Sequence, residues 1–405
     1  MITVTEKEFG ACAEYAAGIR HEIHRNPELG LELTETEKLI VRELESFGVK
    51  EIHPRFGGEH VTGVVAVIRG NKPGRTIGFR ADGDALPLNE NSGCAWASQK
   101  QAHMHACGHD GHTAMLLSVV RYLTQHPDFA GTFVAIFQPG EEGYAGARYM
   151  VEAGLMEKFG VEEVYALHCE PSIPAGSVGV NTGYAMANAD LFDIEFEGSG
   201  GHGSKPQNTL DPVVAACECV MAFQTVVARN IDPNLSAVIT VGSIQAGAIG
   251  YDIPVGSPAG TSVIPQTARL RGTVRSFEPE VQDKLESRMK KIAEGIADMY
   301  DMKVRFTYVR TYPALYNDPV LVAEGRKIFE ALLGEERVED FAKSGGAEDF
   351  SFMTKKRPGF LFRLGMKDET HNAATHNEAF DFNDNAFATG GAAVLSLMLN
   401  RMQPK

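Results

Sequence analysis

Thr-Ile-Gly-Phe-Arg-Ala-Asp-Gly-Asp-Ala-Leu-Pro, residues 76–87, is the stretch on which the fold turns. Residues 76–81 read as a short apolar strand, and the chain then runs straight into charged residues Asp82 and Asp84. A β-branched run over 61–69 precedes it across Gly70-Asn-Lys-Pro-Gly74, which marks a turn. Downstream, His103-Met-His-Ala-Cys-Gly-His-Asp-Gly-His112 leads into an apolar run from Thr113, long enough for a buried helix. Residues 132–138 form the next strand, broken by Pro139-Gly-Glu-Glu-Gly143, with a helix over 145–158 and a strand over 163–167 ending at His168. Strands alternating with helices imply an α/β layer built on a largely parallel sheet. Polar residues collecting just past strand ends are where such sheets carry their sites.

The flanks extend this pattern. Residues 6–25 have helical spacing and stop at Asn26-Pro27. Thr34-Glu-Thr-Glu37 predicts a capping box that opens a second helix. From about residue 185 the order becomes strand 190–197, helix 210–228, strands 236–244 and 268–277, helix 279–300, strand 303–310. That β-α-β-β-α-β order is ferredoxin-like. Helix 318–334, strand 359–364 and a helix from about 386 return the chain to the first texture. The expected class is α/β, with a mixed, largely parallel sheet domain (1–184 and 313–405) interrupted by an α+β domain (185–312).

A chain of 405 residues exceeds one ordinary core, which agrees with two domains. A net charge of −15 without a basic stripe argues against nucleic acid as partner. No apolar run approaches the roughly 20 residues needed to cross a bilayer, so no membrane association is expected. The N-terminus lacks the basic-then-apolar pattern of a secretory signal. Six cysteines without framework spacing fit free thiols in a reducing cytoplasm.

Residues 103–112 hold four of thirteen histidines, one cysteine and one aspartate. Imidazole and thiolate bind borderline-soft divalent metals, and a nearby carboxylate ligates or orients. Cys107 and His109 would diverge on a helix but share one side of a looped or extended backbone. Other candidates at predicted strand ends are Asp82/Asp84, Glu141-Glu142, His168 and His371/His376. Singly each has an ordinary reading: a solvated turn, a core histidine, a turn cap. Convergence on one sheet edge makes them a donor set for one or two ions such as Zn²⁺, Mn²⁺, Co²⁺ or Ni²⁺. Consecutive side chains diverge in extended backbone, so one of Glu141 and Glu142 can ligate while the other carries protons.

RADGDALP (80–87), HACGHDGH (105–112), QPGEEG (138–143), ALHC (166–169), GGHGSKP (200–206) and THNEAFDFND (375–384) occur together in order. Over nearly its whole length the chain resembles the metallopeptidase-like amidohydrolases that include hippurate hydrolase, N-acyl-amino-acid deacylases and indole-acetyl-amino-acid hydrolases. The resemblance implies two divalent ions held by Cys107, His109, Glu142, His168 and His376, with Glu141 as general base and Asp82 supporting the site from behind. It also implies that 185–312 is a lid and dimerisation domain in a homodimer or higher oligomer. There His202 would reach the partner's site and stabilise the carbonyl oxygen, and Arg275 would grip a substrate carboxylate, although a structural salt bridge is an equal expectation for Arg275. The departures are Ser262 where relatives commonly have asparagine, and the unfamiliar stretch 251–259. The implied activity is metal-dependent hydrolysis of an N-acyl or N-aroyl amino acid. The alternatives are a related hydrolase of dipeptides or aryl amines, and a noncatalytic metal-binding homologue, against which the Glu141-Glu142 pair argues.

Overall fold

The structure is a computed structural model describing residues 1–247 and 261–404; the stretch 251–259 lies outside the described residues. The chain packs as two units. One comprises Met1–Ala185, Tyr316–Lys343 and Asp349–Lys405, the other Met186–Leu315 with Ser344–Glu348.

The first unit is built on an eight-stranded sheet. Its spatial order is Glu51–His53, Val64–Arg69, Ala130–Gln138, Lys72–Asp82, Glu163–Pro174, Gly359–Lys367, Val178–Val180 and Val338–Asp340. The four middle strands run parallel, and Val64–Arg69 joins them antiparallel. A sheet covered on both faces favours continuous apolar strands, and Phe133, Val134, Ala135 and Ile136 are all buried in succession. The helices Glu6–His24, His109–Gln125 and Ala386–Arg401 pack on one another and contribute to the same core.

Register decides where the polar strand ends meet. Asp82 pairs with Gln138, so the turns following the two strands emerge side by side. His168 pairs with Arg363 and lies within its strand, which continues to Pro174 rather than stopping at 167. The short strands Glu51–His53, Val178–Val180 and Val338–Asp340 were not expected, being too short for an alternation signal.

Three other expectations are corrected. The helix over 145–158 is two helices, Gly146–Glu152 and Leu155–Lys158, parted where Gly154 takes φ +84°. Thr34 does not cap: it is already helical, the cap position is Leu33, and Glu28 accepts the Glu35 and Thr36 N–H groups at 3.1 and 2.8 Å. A capping box does form, between Thr5 and Glu8. The helix after the histidine loop starts at His109, four residues earlier than its apolar run, because Gly108 at φ +80° turns the chain into it. A Cβ at Gly108 would lie 2.5 Å from Cys169 Sγ, so only glycine lets the loop pack there.

The second unit is a four-stranded antiparallel sheet ordered Ala237–Ala246, Thr267–Ser276, Ala189–Glu197 and Lys303–Tyr312. The helices Pro212–Asn230 and Pro279–Met299 cover one face around Phe192, Ile194 and Phe196. The strand over 190–197 is not an edge, being paired on both sides. In this connectivity the first strand is enclosed by the third and the last, leaving Ala237–Ala246 and Lys303–Tyr312 at the edges. Pro212–Asn230 is also one exception to the expected absence of a membrane-length segment, being long and apolar enough by length and composition. Its buried face, with Ala215, Ala216, Cys219, Phe223 and Val226, belongs to the core of this unit.

Candidate metal centre

The His109 helix start, the strand bearing His168 and three loops bring five of the expected residues together in the first unit. Cys107 Sγ lies 3.4 Å from His168 Nε2. The ligand atoms of Cys107, His109 and His168 fall within 4.8 Å of one another, and so do those of Cys107, Glu142 and His376. Cys107 is common to both sets. Glu142 Oε1 lies 3.1 Å from His376 Nε2. His376 sits on a loop with φ +64°, and its backbone N–H donates to Ala106 O at 2.7 Å, tying it beside Cys107.

The groups behind these donors fix their orientation. His168 Nδ1 lies 2.7 Å from the Cys169 carbonyl, which can only accept, so Nδ1 carries the proton and Nε2 faces the cluster as an acceptor. His112 accepts the Cys169 N–H on Nε2 at 2.9 Å and donates Nδ1–H to Asp82 at 2.6 Å, so both its nitrogens are used. Asp82 also receives Arg80 Nη1–H at 2.7 Å, and Arg80 reaches Asp349 at 2.8 Å, all three side chains being fully buried. Arg80 and Asp82 are two apart on a strand and so share a face.

Asp84 accepts the Glu141 N–H on one oxygen at 2.9 Å and the Glu142 N–H on the other at 3.0 Å. The sequence grouped Asp84 with Asp82 as a candidate donor; its hold on the glutamate turn had no signal in the chain, since 57 residues separate the partners. Asp349 was missed outright, lying in a loop without any motif. His371, a candidate from the sequence, is taken up by Asp368 at 2.9 Å.

Burial and neighbouring charges shift the protonation of these donors. Both His109 nitrogens are buried without a hydrogen bond, 3.6 Å from Asp82 and 3.4 Å from Asp84. Burial opposes charge on His109, but those two carboxylates prevail and raise its pKa to about 10. Burial, with the charges of Glu142, Cys169 and Glu141 behind it, pushes the Cys107 thiol well above its ordinary value. Burial and the neighbouring His112 and Arg363 hold His168 neutral, well below its ordinary value. Burial would raise Glu142, yet the His376 imidazole 3.1 Å away and the His109 charge bring it lower. Divalent cations ligated by such donors displace the protons of the thiol and the imidazolium. The donor set, one thiol, three imidazoles and a carboxylate, fits borderline ions.

The model of peptidase family M20/M25/M40 matches residues 78–400. The chain belongs to that family. Among its M20 relatives, N-acetyldiaminopimelate deacetylase of Priestia megaterium is 35% identical over 87% of this chain and 89% of that protein. Hippurate hydrolase of Campylobacter jejuni is 35% identical over 95% of this chain and 96% of its own. The crystal structure of the Bacillus subtilis YXEP protein, described as a dinuclear metal binding peptidase from the M20 family, superposes with a TM-score of 0.81 at 31% identity, covering 97% of this chain and 99% of that one.

His202 and Arg275 belong to the second unit. His202 is exposed on the two-residue strand Gly201–His202, opposite Val263, with Ser262 O accepting the Gly203 N–H at 2.7 Å. The Ser204 N–H donates to His202 Nδ1 at 3.2 Å, which leaves the proton of a neutral ring on Nε2. Arg275 donates to Thr273 Oγ1 and to Val274 O.

Proposed function

We propose that this M20-family chain hydrolyses the amide bond of a small N-acyl or N-aroyl amino acid, giving a carboxylic acid and a free amino acid. The observation that carries this reading is the pair of three-donor sets sharing Cys107, a pattern suited to two neighbouring divalent ions. The names of the deacetylase and hippurate hydrolase relatives support the substrate class. Cys107, His109, Glu142, His168 and His376 would hold two ions drawn from Zn²⁺, Mn²⁺, Co²⁺ or Ni²⁺. Ions so held supply Lewis-acid polarisation of a carbonyl and acidification of water.

The chain's own groups do the rest. Asp82 orients His112, and Asp84 sets the turn that carries the glutamates. Glu141 takes a proton from the attacking water and returns it to the amide nitrogen as the C–N bond breaks. His202, with Nε2–H available, donates to the carbonyl oxygen as it becomes anionic. Arg275 pairs with the substrate carboxylate. The second unit acts as a lid and pairs with a second copy; the exposed stripe Val214, Cys217 and Met221 along its helix supports a two-fold contact. The six free cysteines support a cytoplasmic location.

Metal analysis of purified protein, combined with a panel of N-acetyl and N-benzoyl amino acids, dipeptides and aryl amides, tests the reading. At least two ions per chain and turnover confined to N-acyl amino acids are expected. Turnover of dipeptides alone would replace the substrate class, and metal binding without any turnover would make the chain a noncatalytic homologue.

A further inference from the structure

A second group of metal-type donors lies where the helix Glu6–His24 meets the loop over residues 88–98, apart from the Cys107 cluster. His24 Nε2 is 3.0 Å from Glu90 Oε1, and Cys94 Sγ is 3.6 Å from that same oxygen. The three ligand atoms all fall within 4.8 Å of one another. Behind the ring, Asp110 Oδ2 holds His24 Nδ1 at 2.7 Å. The other Glu90 oxygen is occupied by the Ser98 N–H at 2.6 Å, which turns Oε1 toward the histidine and the thiol. Ser92 Oγ bonds Glu90 Oε1 and lies 3.3 Å from Cys94 Sγ. His24 is fully buried and the Glu90 side chain is 2% exposed, whereas Cys94 is half-buried and opens the group to solvent.

We propose that His24, Glu90 and Cys94 form a further cation site, separate from the hydrolytic centre, that takes a borderline divalent ion such as Zn²⁺. One nitrogen, one carboxylate oxygen and one sulfur are the three donor types that zinc prefers, with a fourth position left for water or Ser92. A carboxylate behind a histidine is the arrangement that orients a ligating ring and strengthens it as a donor. An ion pair between His24 and Glu90 accounts for those two residues alone. The Cys94 thiol donates to the same carboxylate oxygen, so nitrogen, oxygen and sulfur already converge on one point. On binding, His24 gives up the proton on Nε2 and Cys94 the proton on sulfur to solvent, so the carboxylate and the thiolate together balance the dication, while Asp110 behind the neutral ring keeps its own charge opposite Arg20. The ion would fasten the loop over 88–98 to the first helix and, through Asp110, to the residue next to His109. Its role is structural.

The test uses the full-length holoenzyme, loaded with zinc and desalted, with metal counted by mass spectrometry. Wild type should carry one zinc per chain more than Cys94→Ala or Cys94→Ser, whatever number the Cys107 cluster retains, and both variants should keep their turnover. In the wild type itself, iodoacetamide should label Cys94 at least tenfold more slowly with zinc than after chelation. Equal zinc content in wild type and both variants, or equal labelling of Cys94 with and without zinc, overturns the site. Because the count is a difference, loss of the hydrolytic ions would not alter it.

Discussion

One carboxylate oxygen of Asp84 accepts the backbone N–H of Glu141 at 2.9 Å, and the other is then committed to the next residue along, Glu142, at 3.0 Å. A carboxylate offers two acceptors here, whereas an amide would turn a donor against one of the two N–H groups. Asp84→Asn should therefore loosen the glutamate turn at a cost of about 1.5–3 kcal/mol, the range for hydrogen bonds to a charged group. Denaturant unfolding and metal content of the variant check this. Unchanged stability and occupancy would mean that the turn holds its shape without Asp84.

Glu141→Gln and Glu142→Gln should fail in different ways. The first removes the proposed proton carrier and should lower kcat by at least about 10²-fold with full metal content. The second removes a proposed ligand and should lower metal occupancy. Near-normal turnover of metal-loaded Glu141→Gln would reassign the base.

Chelation should expose Cys107. A metal-bound thiolate is shielded, so alkylation mapped to Cys107 should be slow in the holo protein and fast after chelation and mild loosening. Equal labelling would remove Cys107 from the ligand set, leaving His105 and Asp110 to be tried. The structure already commits Asp110 to His24 and Arg20.

Stability of the chelated protein should fall as pH rises above neutrality. Burial opposes charge on His24, yet Asp110 and Glu90 outweigh it and raise its pKa to about 9, against 6.5 ordinarily. The folded state then binds a proton that the unfolded state has lost, so this stabilisation is complete below about 6.5 and disappears through about 9. The change is on the order of 3 kcal/mol. Fully buried His105 acts oppositely: burial lowers its pKa to about 3, so stability is lost as pH falls from 6.5 toward 3. Urea unfolding across pH 5–9.5 should show wild type losing its advantage over His24→Gln between 6.5 and 9. A pH-independent difference between the two would refute the charge on His24.

If His202 serves the partner's site, mixing inactive Glu141→Gln and His202→Ala subunits should restore activity. A heterodimer contains one site with both native residues, so recovery should approach one quarter of wild-type activity per chain under free exchange. No recovery despite demonstrated exchange would confine His202 to its own subunit or take it out of catalysis. The strand Ala189–Glu197 cannot make the two-fold contact, since both its neighbours are already in place.

The candidate donors are legible in the chain because metal chemistry needs particular atoms. Cys107, His109, Glu142, His168 and His376 stand out by residue type, and the alternation of strands and helices puts most of them at predicted strand ends. The βαββαβ order was legible too, because period-two and period-3.6 patterns survive in strands and helices of nine or more residues. Which strand lies at an edge was not, since that depends on the lateral order of the sheet and on nothing local. Nor was the capping of the second helix, where Glu28 arrives from outside the Thr34–Glu37 pattern. Only the tertiary structure decided that Cys107 belongs to two donor sets, that His112 is spent on Asp82 and Cys169, and that Asp84 holds the turn it faces. Apart from His109 beside Cys107, those partners lie 30 or more residues apart along the chain. A sequence specifies which groups exist; burial and register decide which of their lone pairs and protons remain available.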